Sequence, residues 1–123
     1  MDSKTLGFYG KTRIASKPTE KLLKMLYESM LKFNGQAKFA IKKSDIENRT
    51  LFINKSMAIF IELRASLDSS NSDIFEHLNA LYKHLLFLLI RANIENSIEK
   101  IDEVNDNIKN LLKIWQEQSE SEL

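Results

Sequence analysis

Apolar residues recur along this chain at steps of three and four, and short polar stretches interrupt them at similar distances. From Pro18 to about Ile41, Leu22, Leu26, Met30, Phe33, Ala37 and Ala40 keep that rhythm, which gathers them on one face of a helix. Pro18 suits the first turn, where its missing N–H costs nothing. A second helix opens at Ser44-Asp45-Ile46-Glu47, because a serine followed three residues later by a glutamate satisfies backbone donors left free at a helix start. Its stripe runs through Ile46, Ile53, Met57, Phe60 or Ile61, and Leu67, ending near Asp68. The polar run Ser69-Ser70-Asn71-Ser72 supplies a break and a cap for a third helix, from about Asp73 to Ala92 through Leu78, Leu81, Tyr82, Leu85 and Leu89. Asn93 to Ser97 makes the next turn. The last helix has the cleanest period, with Ile98, Ile101, Val104, Ile108, Leu111 or Leu112, and Trp115. Its acids come early and its lysines late, an order that complements the helix dipole.

Helices of about 20 residues are each about 30 Å long, and the turns between these are too short to cross that length. Neighbouring helices must therefore run antiparallel. The pattern predicts an all-α fold, an antiparallel up-down-up-down four-helix bundle over residues 16–117. Residues 1–15, with Gly7 and Gly10, read as a flexible or partly helical N-terminal arm with one turn around Leu6 to Tyr9. The polar stretch after Trp115 reads as a fraying end, with residues 118–123 as a tail. No alternating apolar and polar runs with hairpin turns compete for a sheet.

Composition fits one helical domain: 123 residues, 43% hydrophobic and 28% charged, with three glycines and one proline. There is no cysteine, so no disulfide framework and no thiolate metal site, which is compatible with a cytoplasmic home. The longest apolar run, Leu85 to Ile90, is far shorter than the ~20 residues a membrane-crossing helix needs, and no hydrophobic signal segment opens the chain. Membrane insertion is not expected. The net charge of +1 hides a split: residues 1–43 carry ten Lys/Arg against three Asp/Glu, and residues 44–123 carry eight against fourteen. The basic residues lie among helix-face positions and are not grouped with aromatics, so a solvated face is expected and no nucleic-acid partner.

Catalytic chemistry finds no foothold, and the chain reads as a non-enzyme. There is no Gly-rich phosphate loop, no cysteine nucleophile and no serine in a strand-to-helix elbow. His77 and His84 share a helical face with Asp73, a spacing at which imidazole and carboxylate can converge on an ion, yet two ordinary surface histidines explain the same letters. No metal and no cofactor are expected. A histidine on a four-helix bundle also raises histidine phosphotransfer, in which a lysine and a glycine usually follow the reactive imidazole. Here His84 precedes Leu85-Leu86-Phe87 and His77 precedes Leu78-Asn79-Ala80, which lack that chemistry. A generic helical adaptor is the other alternative.

The third helix carries the informative irregularity. Leu85-Leu86-Phe87-Leu88-Leu89-Ile90 is apolar on every side, whereas a surface helix in a small bundle shows a polar face. Part of that surface must find cover beyond the three neighbouring helices: an N-terminal arm, a second copy of the chain, or a partner's helix in a groove.

The order of short segments resembles the flagellar export chaperone family FliS. Tyr9 and Ile14 fall at the family's N-terminal tyrosine and its valine or isoleucine, and Leu22-Leu23-Lys24-Met25-Leu26-Tyr27-Glu28 is similar to its first-helix signature. Ala37, Ser44-Asp45-Ile46, Glu62-Leu63, Ser66-Leu67-Asp68, Leu78-Asn79-Ala80-Leu81-Tyr82, Ala92-Asn93-Ile94, Glu103-Val104 and Trp115 follow in the family's order, so the likeness spans about residues 9–117. The chain departs from the pattern at Pro18-Thr19, one register early, and at Asn71-Ser72, where a Gly-Gly pair is usual. It also has Phe87 and Leu88 at two commonly basic positions. The resemblance implies a cytosolic chaperone that binds the C-terminal region of flagellin, prevents premature polymerisation and presents its client to the type III export apparatus. It further implies contacts with the export gate protein FlhA and a co-chaperone, while the apolar third helix leaves a homodimer open. Tyr9 and Ile14 are expected to fold over an apolar groove and move aside for the client. Met25, Tyr27, Tyr82, Leu86, Phe87 and Leu89 are the remaining candidates for the client surface, since methionine and aromatic side chains offer adaptable, high-area contacts.

Overall fold

The computed structural model describes residues 20–67, 70 and 72–121. Four helices fill them: α1 (Glu20–Lys42), α2 (Ile46–Ala65), α3 (Ser72–Glu95) and α4 (Ile98–Ser121). Each packs on two neighbours, α1 and α3 both lying against α2 and α4, so α1 and α3 are diagonal across the bundle. The antiparallel four-helix bundle expected from the apolar period is the fold observed.

The turns show how the helices stop. After α1 the N–H of Asp45 donates to the Ala40 carbonyl (2.8 Å) and that of Ser44 to Ile41 (3.1 Å), a pair of bonds that uses up orphan carbonyls at a helix end. That closure requires a left-handed residue, and Ser44 supplies it at φ 56°. Ser44 therefore terminates α1 and does not cap α2, contrary to the expectation from the Ser44–Glu47 spacing. The cap is Asp45, whose carboxylate accepts from the Asn48 backbone N–H (3.1 Å) and side-chain amide (2.6 Å). The same device ends α3, where Asn96 takes φ 56° and the Ser97 N–H donates to Ala92 (3.1 Å). Ser97 then accepts from the Lys100 N–H (3.2 Å) to start α4.

Two helix ends run longer than the sequence pattern predicts. Asn93, Ile94 and Glu95 continue α3 instead of forming the turn. The ion pair Arg91–Glu95 supports that last turn at i,i+4, and Asn93 is tied to α2 by bonds from Arg49 (2.7 Å) and Thr50 (3.1 Å). At the other end α4 continues to Ser121, beyond the residue-117 boundary, because Gln and Glu are good helix formers and neither Gly nor Pro stops it.

The core is built from the inward stripes: Leu23, Tyr27 and Met30 of α1, Ile53 and Phe60 of α2, Tyr82, Leu85 and Leu89 of α3, and Ile101, Val104 and Ile108 of α4. Burying each such side chain stabilises the fold by about 1.5–3 kcal/mol before entropy is counted. Phe60 and Tyr82 pack with ring centres 5.8 Å apart and tilted by 49°, a favourable aromatic geometry. Polar pairs fix how the helices sit along one another. Arg49–Asn93 and Arg64–Asn79 (2.7 Å each) set the α2–α3 register, and Asn34–Asn105 (2.8 Å) with Lys38–Asp102 sets that of α1 and α4.

The caps give a direct test. Asp45→Ala lowers the urea midpoint with an unchanged m-value, whereas Ser44→Gly raises stability by up to about 1 kcal/mol by relieving the left-handed backbone. A loss in Ser44→Gly would instead make that hydroxyl the cap. The Asn48 backbone N–H, and secondarily its amide, hold the Asp45 carboxyl below the usual carboxylate range. A depressed folded pKa contributes stability in full above the unfolded value of about 4, and that stability is lost as pH falls through the folded value. The Asp45→Ala variant is therefore expected to lose less stability than the parent on acidification, measured by urea unfolding from neutral to acidic pH.

Candidate interaction surface

Six of the eight candidate binding residues lie within the described chain, and the structure divides them. Tyr9 and Ile14 lie outside the described residues. Tyr27, Tyr82 and Leu89 are fully buried, so they present no surface to a partner in this structure. Leu86 is half-buried and packs on the core. Met25 and Phe87 are more than half exposed, at 53% and 56%.

The reason is rotational. Tyr27 and Tyr82 turn inward and meet across the diagonal, their hydroxyls 2.6 Å apart, and Trp115 Nε1–H donates to Tyr27 Oη at 3.1 Å. With Tyr82 pointing in, Phe87 stands five residues on, about 140° round the helix, and faces out. Met25, two residues before Tyr27 and about 160° away, is turned outward in the same way. Since α1 and α3 are diagonal, those two outward faces look in opposite directions.

The apolar run of α3 is likewise split. Leu85, Leu88 and Leu89 face the core, while Phe87 and Ile90 emerge, and Ile94 extends the exposed stripe by another turn. Cover for this stripe from elsewhere in the chain is absent among the described residues, which is the outcome the all-round hydrophobicity predicts.

A groove that the sequence reading missed lies between α3 and α4. Ile74, His77, Leu78 and Leu81 form one wall, and Leu111, Ile114 and Trp115 line the other, around a space of about 490 Å³. Ile114 is 54% exposed at its rim and Ile74 36%. The signal was present in Ile114, which sits beside Trp115 but off the α4 stripe. A smaller cavity of about 380 Å³, between Lys24 and Glu28 of α1 and Leu112 and Gln116 of α4, has Trp115 in its wall as well.

Among the described residues no three His, Cys, Asp or Glu side chains gather where they could hold a metal ion. His84 Nε2 lies 3.5 Å from Glu103 Oε2, and a carboxylate so close repels a phosphoryl group, which weakens the histidine-phosphotransfer alternative further. Glu95 is held below the usual carboxylate range by its bond from Lys100 and then by Arg91, a surface network at the end of α3. No helix among the described residues is long and apolar enough to cross a membrane.

Fold and surface are those of an all-α bundle with apolar grooves between its helices, an architecture suited to taking up segments of other polypeptides. Comparison with known proteins gives that class a family. The sequence profile described as flagellar protein FliS matches residues 3–122. The flagellar secretion chaperone FliS of Campylobacter jejuni is 39% identical over 110 residues, covering 89% of this chain and 86% of that protein. Those of Bacillus subtilis (30% identical; 80% and 73% covered) and Escherichia coli K12 (26%; 85% and 78%) are also similar. The chain belongs to the FliS family of flagellar secretion chaperones.

The buried hydroxyl cluster carries its own prediction. Tyr27→Phe removes the oxygen that both Tyr82 and Trp115 use and is expected to cost about 1–3 kcal/mol in urea unfolding. Tyr82→Phe removes one of those bonds and costs less.

Proposed function

We propose that this chain is a cytoplasmic export chaperone that binds the C-terminal segment of flagellin, keeps it from polymerising early, and helps deliver it to the flagellar type III export apparatus. The observation that carries this reading is the apolar groove between α3 and α4, open at Ile74 and Ile114, in a member of the FliS family. A client segment that is disordered when free folds as an amphipathic helix along such a groove, and its apolar face replaces water there. Direct contact falls to Met25, Leu86 and Phe87 together with Ile74 and Ile114. Tyr27, Tyr82 and Leu89 act from beneath, holding the helices at the spacing the groove needs. Tyr9 and Ile14 retain the covering role that the family likeness implies.

Beyond Phe87, the exposed Ile90 and Ile94 suit a second protein contact: a co-chaperone, the export gate protein FlhA, or another copy of the chain. An apolar face of this size costs solubility unless something covers it.

Titration with a flagellin C-terminal peptide tests the proposal. Ile114→Glu and Phe87→Glu are each expected to weaken binding by more than about tenfold with the helical content unchanged, as for residues at the centre of an interface. No binding of the parent chain at micromolar peptide would point to a generic helical adaptor with another client. Normal binding by a folded Phe87→Glu variant would remove that residue from the flagellin surface.

A further inference from the structure

The groove between α1 and α2 is chemically unlike that between α3 and α4. Lys32, Gly35, Phe39, Lys43 and Phe52 line it around about 390 Å³ of space. Its aromatic lining is Phe39, 62% exposed, and Phe52, which stacks on Phe33 beside the groove with ring centres 6.4 Å apart. Over these rings stand cations: Lys43 Nζ is 5.5 Å from Phe39, and Lys55 Nζ is 5.5 Å from Phe33 and 5.7 Å from Phe52. Lys32, Lys43 and Lys55 form no ion pair among the described residues. The one carboxylate lining the groove, Asp45, is already engaged by Asn48 as the α2 cap.

Two features of this groove have no explanation within the described chain. Gly35 sits in the middle of α1, where glycine weakens a helix relative to alanine. Nothing lies within 4 Å of the place its Cβ would occupy, so no neighbour requires the small residue. Gln36, also in the lining, has its Oε1 shielded from water and without a hydrogen-bond partner. The missing side chain at Gly35 leaves the room that a closely approaching partner backbone needs.

We infer that the α1–α2 groove is a second docking surface, for an acidic amphipathic helix of a partner protein. Its carboxylates meet Lys32, Lys43 and Lys55, an apolar side chain packs on Phe39, and its backbone comes closest over Gly35. A trough between two antiparallel helices receives a third helix, and lysines already set against rings give up little hydration when a carboxylate arrives. A nucleic acid is the less fitting polyanion, because only two lysines line the groove, with Lys55 beside them over Phe52, and Asp45 stands within it. The inference does not depend on flagellin binding between α3 and α4.

The test uses the full chain and a fluorescein-labelled peptide of about 16 residues, Leu and Glu at helical spacing, with a Gln-for-Glu control and a short single-stranded DNA as further arms. At moderate salt the acidic peptide is expected to bind at least about tenfold tighter than the control, and Lys32→Glu with Lys43→Glu to abolish the difference. Gly35→Ala is expected to raise the melting temperature while weakening the peptide by several-fold. A merely structural glycine would leave binding unchanged, and that result would overturn the proposal. Equal binding of both peptides, stronger binding of the DNA, or a homodimer that Phe39→Ser dissolves would overturn it too. The flagellin-peptide titration on the same variants keeps the two grooves apart: the charge reversals are expected to leave it unaltered.

Discussion

The structure turns on one buried contact, the meeting of Tyr27 and Tyr82 across the diagonal of the bundle, with Trp115 donating into it from α4. Apolar packing alone lets helices slide and rotate at small cost, because many arrangements bury similar area. Hydroxyl and indole groups in a low-dielectric interior do not allow that freedom, since each must meet its partner at hydrogen-bond distance or remain desolvated without return. Three helices are thereby fixed in rotation and level at one point. What the outside of α1 and α3 displays follows from this, because turning Tyr27 and Tyr82 inward turns Met25 and Phe87 outward.

Much of the fold was legible because a period of three and four residues has few alternatives over such lengths. Met30, Ile53, Leu85 and Ile108 fall inside as a helical stripe requires, whereas Leu22 and Ile46, read as stripe residues, lie exposed, and Leu23 is buried in place of Leu22. The misreadings are local and have local causes. Ser44 and Asp45 are both good capping residues, and which of them caps depends on where the preceding helix makes its left-handed turn, a choice that spacing does not encode. Residues 118–121 are polar without being helix breakers, so polarity alone overstated the tail.

The surface was less legible than the fold, for a reason the α3 run makes plain. Six consecutive apolar residues announce an excess of hydrophobic area, but not which of them emerge; the tyrosine contact decides that Leu85, Leu88 and Leu89 enter while Phe87 and Ile90 leave. Tyr27 and Tyr82 misled for the opposite reason, since tyrosine is a frequent interface residue and here both spend their hydroxyls on each other. The α3–α4 groove needed two helices to be seen together: Ile74 and Ile114 lie 40 positions apart and mean little until α3 and α4 bring their edges side by side.

The charge split gains a spatial meaning in the bundle. Lysines dominate the outer face of α1, while acids crowd the first turns of α4, its neighbour, where Asp102 reaches Lys38 and Glu103 reaches His84. Exposed pairs of this kind contribute little to stability, so the split is better understood through what it does to approach. The apolar features are spread as well: Met25 on α1, Phe87 on α3, Ile114 on α4. A rigid globular partner can meet one of these faces and no more. A disordered segment can follow them in turn, folding as it goes, and the ordering entropy it loses is offset only by a wide contact area. Dispersed grooves around a small bundle therefore suit an extended segment that folds as it binds, while a folded partner is limited to one face at a time.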